Sequence, residues 1–206
     1  QKLGDKVSII VFNVKGSDLL AIDQPSTSIT ESQRLDWQKC GLSPCPFQNV
    51  TYLYPFTDKA SDGYTSSHVP PEILKQQQAE NRAFNYFYAV ETTKYKLGLL
   101  FSDIDDPSST MESIAHQISE HIDSNNWENL RNEVEQRTKK GGGGQDISVM
   151  SWRKFNRLLK ARTEHGIFTE RARTQPEQKR HKLIKEAILS LRPGQVLVID
   201  IEPLPD

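Results

Sequence analysis

Long apolar runs are missing from this 206-residue sequence. No segment approaches the about twenty consecutive apolar residues that a membrane-crossing helix needs, and no charged-then-apolar leader opens the chain. Neither a membrane span nor secretion is therefore expected, and the cytoplasm is the default compartment. Cysteine is scarce: Cys40 and Cys45 stand five apart in the loop CGLSPC. Without a second cysteine pair or a nearby histidine a zinc site is short of ligands, and a reducing compartment disfavours a disulfide, so both read as plain loop thiols. A phosphate-cradling G-x-x-x-x-G-K-[ST] loop is absent as well. The GGGG at 141–144 runs into Gln145 and Asp146, which offer neither the lysine nor the hydroxyl of such a loop. No internal repeat is visible.

What remains is a polar-leaning globular composition, 35% hydrophobic and 26% charged, of a length suited to one sizeable α/β domain. The net charge of −1 conceals a strong segregation. Residues 1–130 carry −7, residues 131–192 carry +9 and residues 193–206 carry −3. A basic block of that size points to an anionic partner, often nucleic acid.

Val7 to Phe12 is apolar apart from Ser8, without sustained alternation, and predicts a fully buried central strand of a parallel sheet. Asn49 to Tyr54 predicts a second strand, closed by Pro55, and Val196 to Ile201 a last one. Thr30 is placed to start a short helix that Gly41 stops. From Pro71 the text reads as helix, with the Tyr/Phe-rich part from Phe84 open to a strand reading. Another helix begins between Pro107 and Thr110 and carries Met111, Ile114, Ala115 and Ile118 on one face. Ser151 is the expected N-cap of a helix ending at Gly166, and a further helix is expected from about Pro176 to Ser190. Strands separated by helices predict an α/β fold with a parallel or mixed sheet flanked by helices. Trp127, Trp152 and the aromatics of NYFY read as packing residues, and Asp103, Asp105 and Asp106 before Pro107 as helix-capping groups rather than a metal site. His116 and His121, five apart, are poorly spaced to share a metal on a helix.

Parallel sheets bind ligands beyond the carboxyl ends of their strands, which directs attention to NVKGSD at residues 13–18. There Gly16 permits a tight turn, Lys15 offers a point charge to phosphate, and Asp18 suits a helix cap or a metal-bound water. VSIIVFNVKGSDLL, the following IDQP, GLSPCPFQNVTYLYPF, LGLLFSDIDDP and LRPGQVLVIDIEPLPD together resemble, in order and spacing, the ATPase core of HerA-type proteins of the HerA/FtsK branch of P-loop ATPases. Related conjugation coupling proteins carry Asp and Pro where this chain has Asn13 and Val14. The resemblance implies part of a RecA-like P-loop core with a helical insertion. It places residues 1–56 at the start of that core, 57–140 in a mainly helical insertion, and 141–206 in basic helices and a return strand.

The resemblance further implies a segment lying between the phosphate loop and the catalytic acidic strand of a DNA translocase. The strand VLVIDIEPL ends with Asp200 and Glu202 on one face, and a similar strand precedes the family's acidic Asp-Glu motif rather than forming it. The chain alone is then not expected to hydrolyse ATP. In the intact protein, ATP and Mg²⁺ would be bound between subunits of a hexameric ring moving double-stranded DNA, with a nuclease or other effector subunit as partner. Asn13, Lys15, Gly16 and Asp18 would lie near the nucleotide. Lys139, Lys140, Arg153, Lys154, Arg157 and Lys160 would touch DNA phosphates, and Arg171 and Arg173 are candidate fingers reaching a neighbouring subunit. The alternative is a non-catalytic interaction or DNA-binding domain that docks a partner through its basic helices.

Overall fold

Four parallel strands form the sheet of the computed structural model, which describes residues 7–26, 28–59, 63–139, 147–170 and 180–204. They are β1 (Ile9–Asn13), β2 (Val50–Pro55), β3 (Ala83–Tyr86) and β4 (Val196–Asp200), in the order β1-β4-β2-β3. β4 enters between β1 and β2, aligning Asn13 with Asp200 on one side and Leu53 with Ile199 on the other. All five residues of β4 are buried: Val196 to Ile199, whose unbroken apolar sequence suits an enclosed strand, and Asp200 after them.

Residue alternation divides the core. Val50, Tyr52, Tyr54, Val196 and Val198 pack with Leu20, Val69 and helix α2 (Pro71–Ala79) on one face. Leu53, Leu197 and Ile199 pack with Ala187 and Ile184 of helix α7 (Ile184–Leu189) on the other. The first two crossovers thus use one face and the return from β3 to β4 uses the opposite one, as right-handed connections demand when the chain reverses direction across a sheet.

That return contains a helical unit. Helices α3 (Val90–Thr93), α4 (Thr110–His121), α5 (Trp127–Arg137) and α6 (Val149–Arg162) gather Ile114, Ile118, Leu130, Val134, Trp152, Phe155 and Leu159 into a separate core. The Glu170 carboxylate joins the starts of two of these helices, accepting from the Val90 amide at 2.9 Å and the Trp127 amide at 3.2 Å. Those are first-turn amides of α3 and α5, which have no intrahelical acceptor. Trp127 and Trp152 are packing residues, and Asp106 accepts from the Met111 amide at the start of α4. Asp103 instead pairs with Arg162.

Several local expectations need correction. β1 is not central: among the described residues it is an edge strand, and Ile9, Ile10 and Phe12 are 41%, 40% and 53% exposed. Hydrophobic content reports what a strand is suited to pack against, not how many neighbours it has. From Pro71 the helix ends at Ala79, and of the two readings open from Phe84 the strand is the one observed, β3 starting at Ala83, because β2 offers a parallel partner, Tyr52 aligning with Ala83. α6 begins at Val149 with Ser148 as N-cap, whose hydroxyl accepts from the Ser151 amide, and it ends at Arg162 rather than Gly166. Of the span 176–190 only Ile184–Leu189 is helical among the described residues, since Asn85 draws the Lys182 amide into a bond alongside β3. Helix α1 (Glu31–Lys39) does start at Thr30, through a capping box with Gln33. Both cysteines are free and exposed. No helix among the described residues is long and apolar enough to cross a membrane.

Candidate functional site

The carboxyl ends of the strands carry a buried, hydrogen-bonded polar cluster. Asn13 closes β1 with a side chain wholly removed from solvent, and its register partner Asp200 closes β4 at 1% exposure. Asn13 Nδ2 donates to Asp200 Oδ1 at 2.8 Å and to the Gly16 carbonyl at 2.9 Å. The Gly16 carbonyl can only accept, so the amide orientation is fixed by chemistry and Asn13 Oδ1 is left as a buried acceptor with no donor. The bond to Gly16 folds Val14–Gly16 back over the strand end. Gly16 has φ +60°, where a side chain would be strained, and a Cβ there would meet nothing within 4 Å. Its backbone is open to approach.

From the other side comes a strap, the described part of the β2–α2 connection from Gly63 to Val69. Thr65 bridges antiparallel to Phe56, and Asn85 Nδ2 donates to Thr65 Oγ1 at 2.8 Å. Ser67 Oγ then donates to Asp200 Oδ2 at 2.6 Å. His68 Nδ1 lies 2.6 Å from Glu202 Oε2 just beyond β4. Below, Tyr86 donates its hydroxyl to the Asp200 carbonyl at 2.7 Å, pinning the backbone of the same residue. Burial holds the Asp200 carboxyl above the usual carboxylate range, although the bonds from Asn13 and Ser67 act in the opposite sense.

Of the residues expected near a nucleotide, Asn13 and Gly16 are joined in this cluster, while Lys15 and Asp18 are exposed beside it. Asp18 opens a short 3₁₀ turn, Asp18–Ala21. The set provides one ammonium and an open glycine backbone, which fits an interaction with one phosphate but not a cradle for a triphosphate. Among the described residues no group of three or more His, Cys, Asp or Glu side chains could hold a metal ion. No sequence pattern marks Asp200 as the partner of Asn13, or Ser67 and Tyr86 as partners of Asp200. Alternation alone puts Asp200 and Glu202 on one strand face, but β4 ends at Asp200 and Glu202 lies in the turn beyond it; the pairing of Asp200 with Asn13 needs the strand order.

The basic residues are scattered by their partners. Lys160 Nζ bonds Glu135 at 2.7 Å, Arg153 Nε donates to the Thr138 carbonyl at 3.3 Å, and Lys139 Nζ bonds Gln136 at 2.7 Å. Lys154 and Arg157 are exposed along one stripe of α6 with Met150 and Ala161. Lys140, Arg171 and Arg173 lie outside the described residues. No protein-family model and no curated protein matches the chain.

Proposed function

We propose that this chain is part of the motor sheet of an ATP-driven double-stranded DNA translocase of HerA type, and that it does not turn over ATP alone. One observation carries the reading: β1 has the sequence of an interior strand and the position of an edge strand. Edge strands of finished sheets are blunted by charges, prolines or bulges. β1 offers Ile10 and Phe12 to solvent instead, beside the fully buried Leu197 and Ile199 of β4. Such a strand is suited to further strands on its outer edge and cover on its faces. Its tip would then stand within the sheet, with Lys15 and Gly16 turned toward the side where parallel sheets bind ligands.

In this reading the RecA-like core is completed outside these residues, by segments that supply the phosphate cradle and the acidic groups that hold Mg²⁺. This chain contributes the turn held by Asn13 and the charge of Lys15. Phosphoryl transfer depends largely on positioned charge, so one ammonium near the phosphates affects rate or subunit assembly. The test is Lys15→Ala in the longest natural protein carrying this sequence. ATP turnover or oligomer formation is expected to fall at least tenfold; wild-type values for both would leave Lys15 a solvated loop residue. A second reading, a domain that docks an anionic partner without chemistry, draws on the exposed Lys154 and Arg157 of α6.

A further inference from the structure

Two loops of independent origin meet on a single buried side chain. The turn after β1 reaches Asp200 Oδ1 through Asn13, and the strap before α2 reaches Asp200 Oδ2 through Ser67. The sequence separations are 187 and 133 residues, so neither bond follows from local chain geometry. We propose that Asp200 is a positioning residue that couples the Asn13–Gly16 turn to the Ser67–Val69 strap, so that a change at either loop is transmitted to the other. The inference rests on the strand-end reading of the site given above.

Three features make this a coupling rather than two adjacent bonds. First, Asp200 is 1% exposed, so water cannot readily replace a partner that leaves; breaking one bond strands a desolvated oxygen and favours rearrangement around the other. Second, the Asp200 backbone is held from below by the Tyr86 hydroxyl, which leaves the carboxylate as the part free to respond. Third, Asn13 retains an unmet acceptor, Oδ1, in the same buried cluster. A donor arriving there, such as an ammonium or a ligand hydroxyl, would pull the amide and with it the Gly16 carbonyl and the Asp200 carboxylate. The strap is bound to respond at more than one point, since Ser67 Oγ also accepts from the Val69 amide at 3.2 Å, and His68 meets Glu202.

Hydrogen exchange on the full chain, followed residue by residue without nucleotide, tests the coupling. Ser67→Ala is expected to raise exchange about tenfold at Val14–Gly16 as well as at Ser67–Val69, the size expected for removing one hydrogen bond. Asn13→Ala is expected to do the reverse, loosening the strap along with its own turn. Asp200→Ala loosens both. Asp200→Asn restores both nearly to wild type, because its carbonyl still accepts from Asn13 and its amide donates to Ser67 Oγ. Effects of Ser67→Ala confined to the strap, or a uniform rise across all four strands, would overturn the proposal. So would an Asp200→Asn variant as loose as Asp200→Ala. Should Asp200→Ala fail to fold, the reciprocal effects of Ser67→Ala and Asn13→Ala still decide. No nucleotide enters the measurement, so a failure here is separate from a failure of the Lys15 test.

Discussion

At the scale of single residues, the pair Asn13–Asp200 explains why an amide stands at the tip of β1. An aspartate in its place would set a second carboxylate about 3 Å from Asp200 in a site closed to water, and two such groups do not both ionise. Asn13→Asp is accordingly expected to destabilise the chain by several kcal/mol at pH 7, of the order found when a buried charge loses its partner. Most of that stability should return near pH 4, where one proton can be shared; urea denaturation at the two pH values measures it. Asp200 has a pH dependence of its own in the native chain. Its folded pKa is raised by burial, so the folded state binds its proton more tightly than the unfolded state does. The resulting stability is fully present below the ordinary carboxylate pKa of about 4 and is lost as pH rises through the higher folded value. Asp200→Asn should remove that slope and cost little at pH 7, with denaturation midpoints between pH 4 and 7 as the measurement. An unchanged slope would assign it to other carboxylates.

Among elements, β1 and β4 show what the sequence could and could not convey. Both read as largely apolar strands, and both are strands; only β4 is enclosed. Hydrophobicity was therefore legible as a requirement, while the number of neighbours depended on strand order, which no local pattern encodes. The same limit hid the site. Asn13 and Gly16 could be placed at a strand end from their residue types, whereas Asp200, Ser67 and Tyr86 join them only through the register of β1 on β4 and the path of the strap. Helices were better served, since the apolar spacing of Met111, Ile114, Ala115 and Ile118 is contained in one segment, and all four are buried. The contrast between strands yields a prediction. Replacing Ile10 and Phe12 together by Thr should cost this chain only about 1 kcal/mol, because both are already half in water. Ile199→Ala, on the same face of β4 and fully buried, should cost about 2–5 kcal/mol. On the proposed function, in which further segments complete the sheet and enclose β1, the double substitution should severely reduce assembly or ATP turnover of the protein so completed. Wild-type assembly and turnover in that variant would show that β1 remains an edge and would remove the argument that places Lys15 beside a nucleotide.

For the molecule as a whole, charge segregation is the feature with the most direct physical consequence, and its value depends on which cations are committed internally. Lys160 is joined to Glu135 within the basic block itself, and Arg162 to Asp103 of the acidic half, so part of the block's charge is answered inside the same chain. Arg137 lies over the Trp152 ring and Arg153 reaches the end of α5, so these also fasten α5 to α6. Lys154 and Arg157, exposed one turn apart, are the members best placed to meet an external polyanion. Binding through them would be to phosphates, sequence-independent and weakened by salt through counterion release. Changing Arg153, Lys154 and Arg157 to Glu should lower duplex-DNA affinity at least tenfold in low salt and reduce the salt slope by about two to three units, one for each phosphate no longer neutralised. The comparison variant is Lys160→Glu, which faces Glu135 with a like charge: it should lower the thermal midpoint while leaving the salt slope almost unchanged. Fluorescence anisotropy with a fixed duplex across a salt series separates the two effects. Equal affinity in the triple variant and the wild type would confine α6 to holding the helical unit together, and the basic block would then be balanced within the chain rather than presented to DNA.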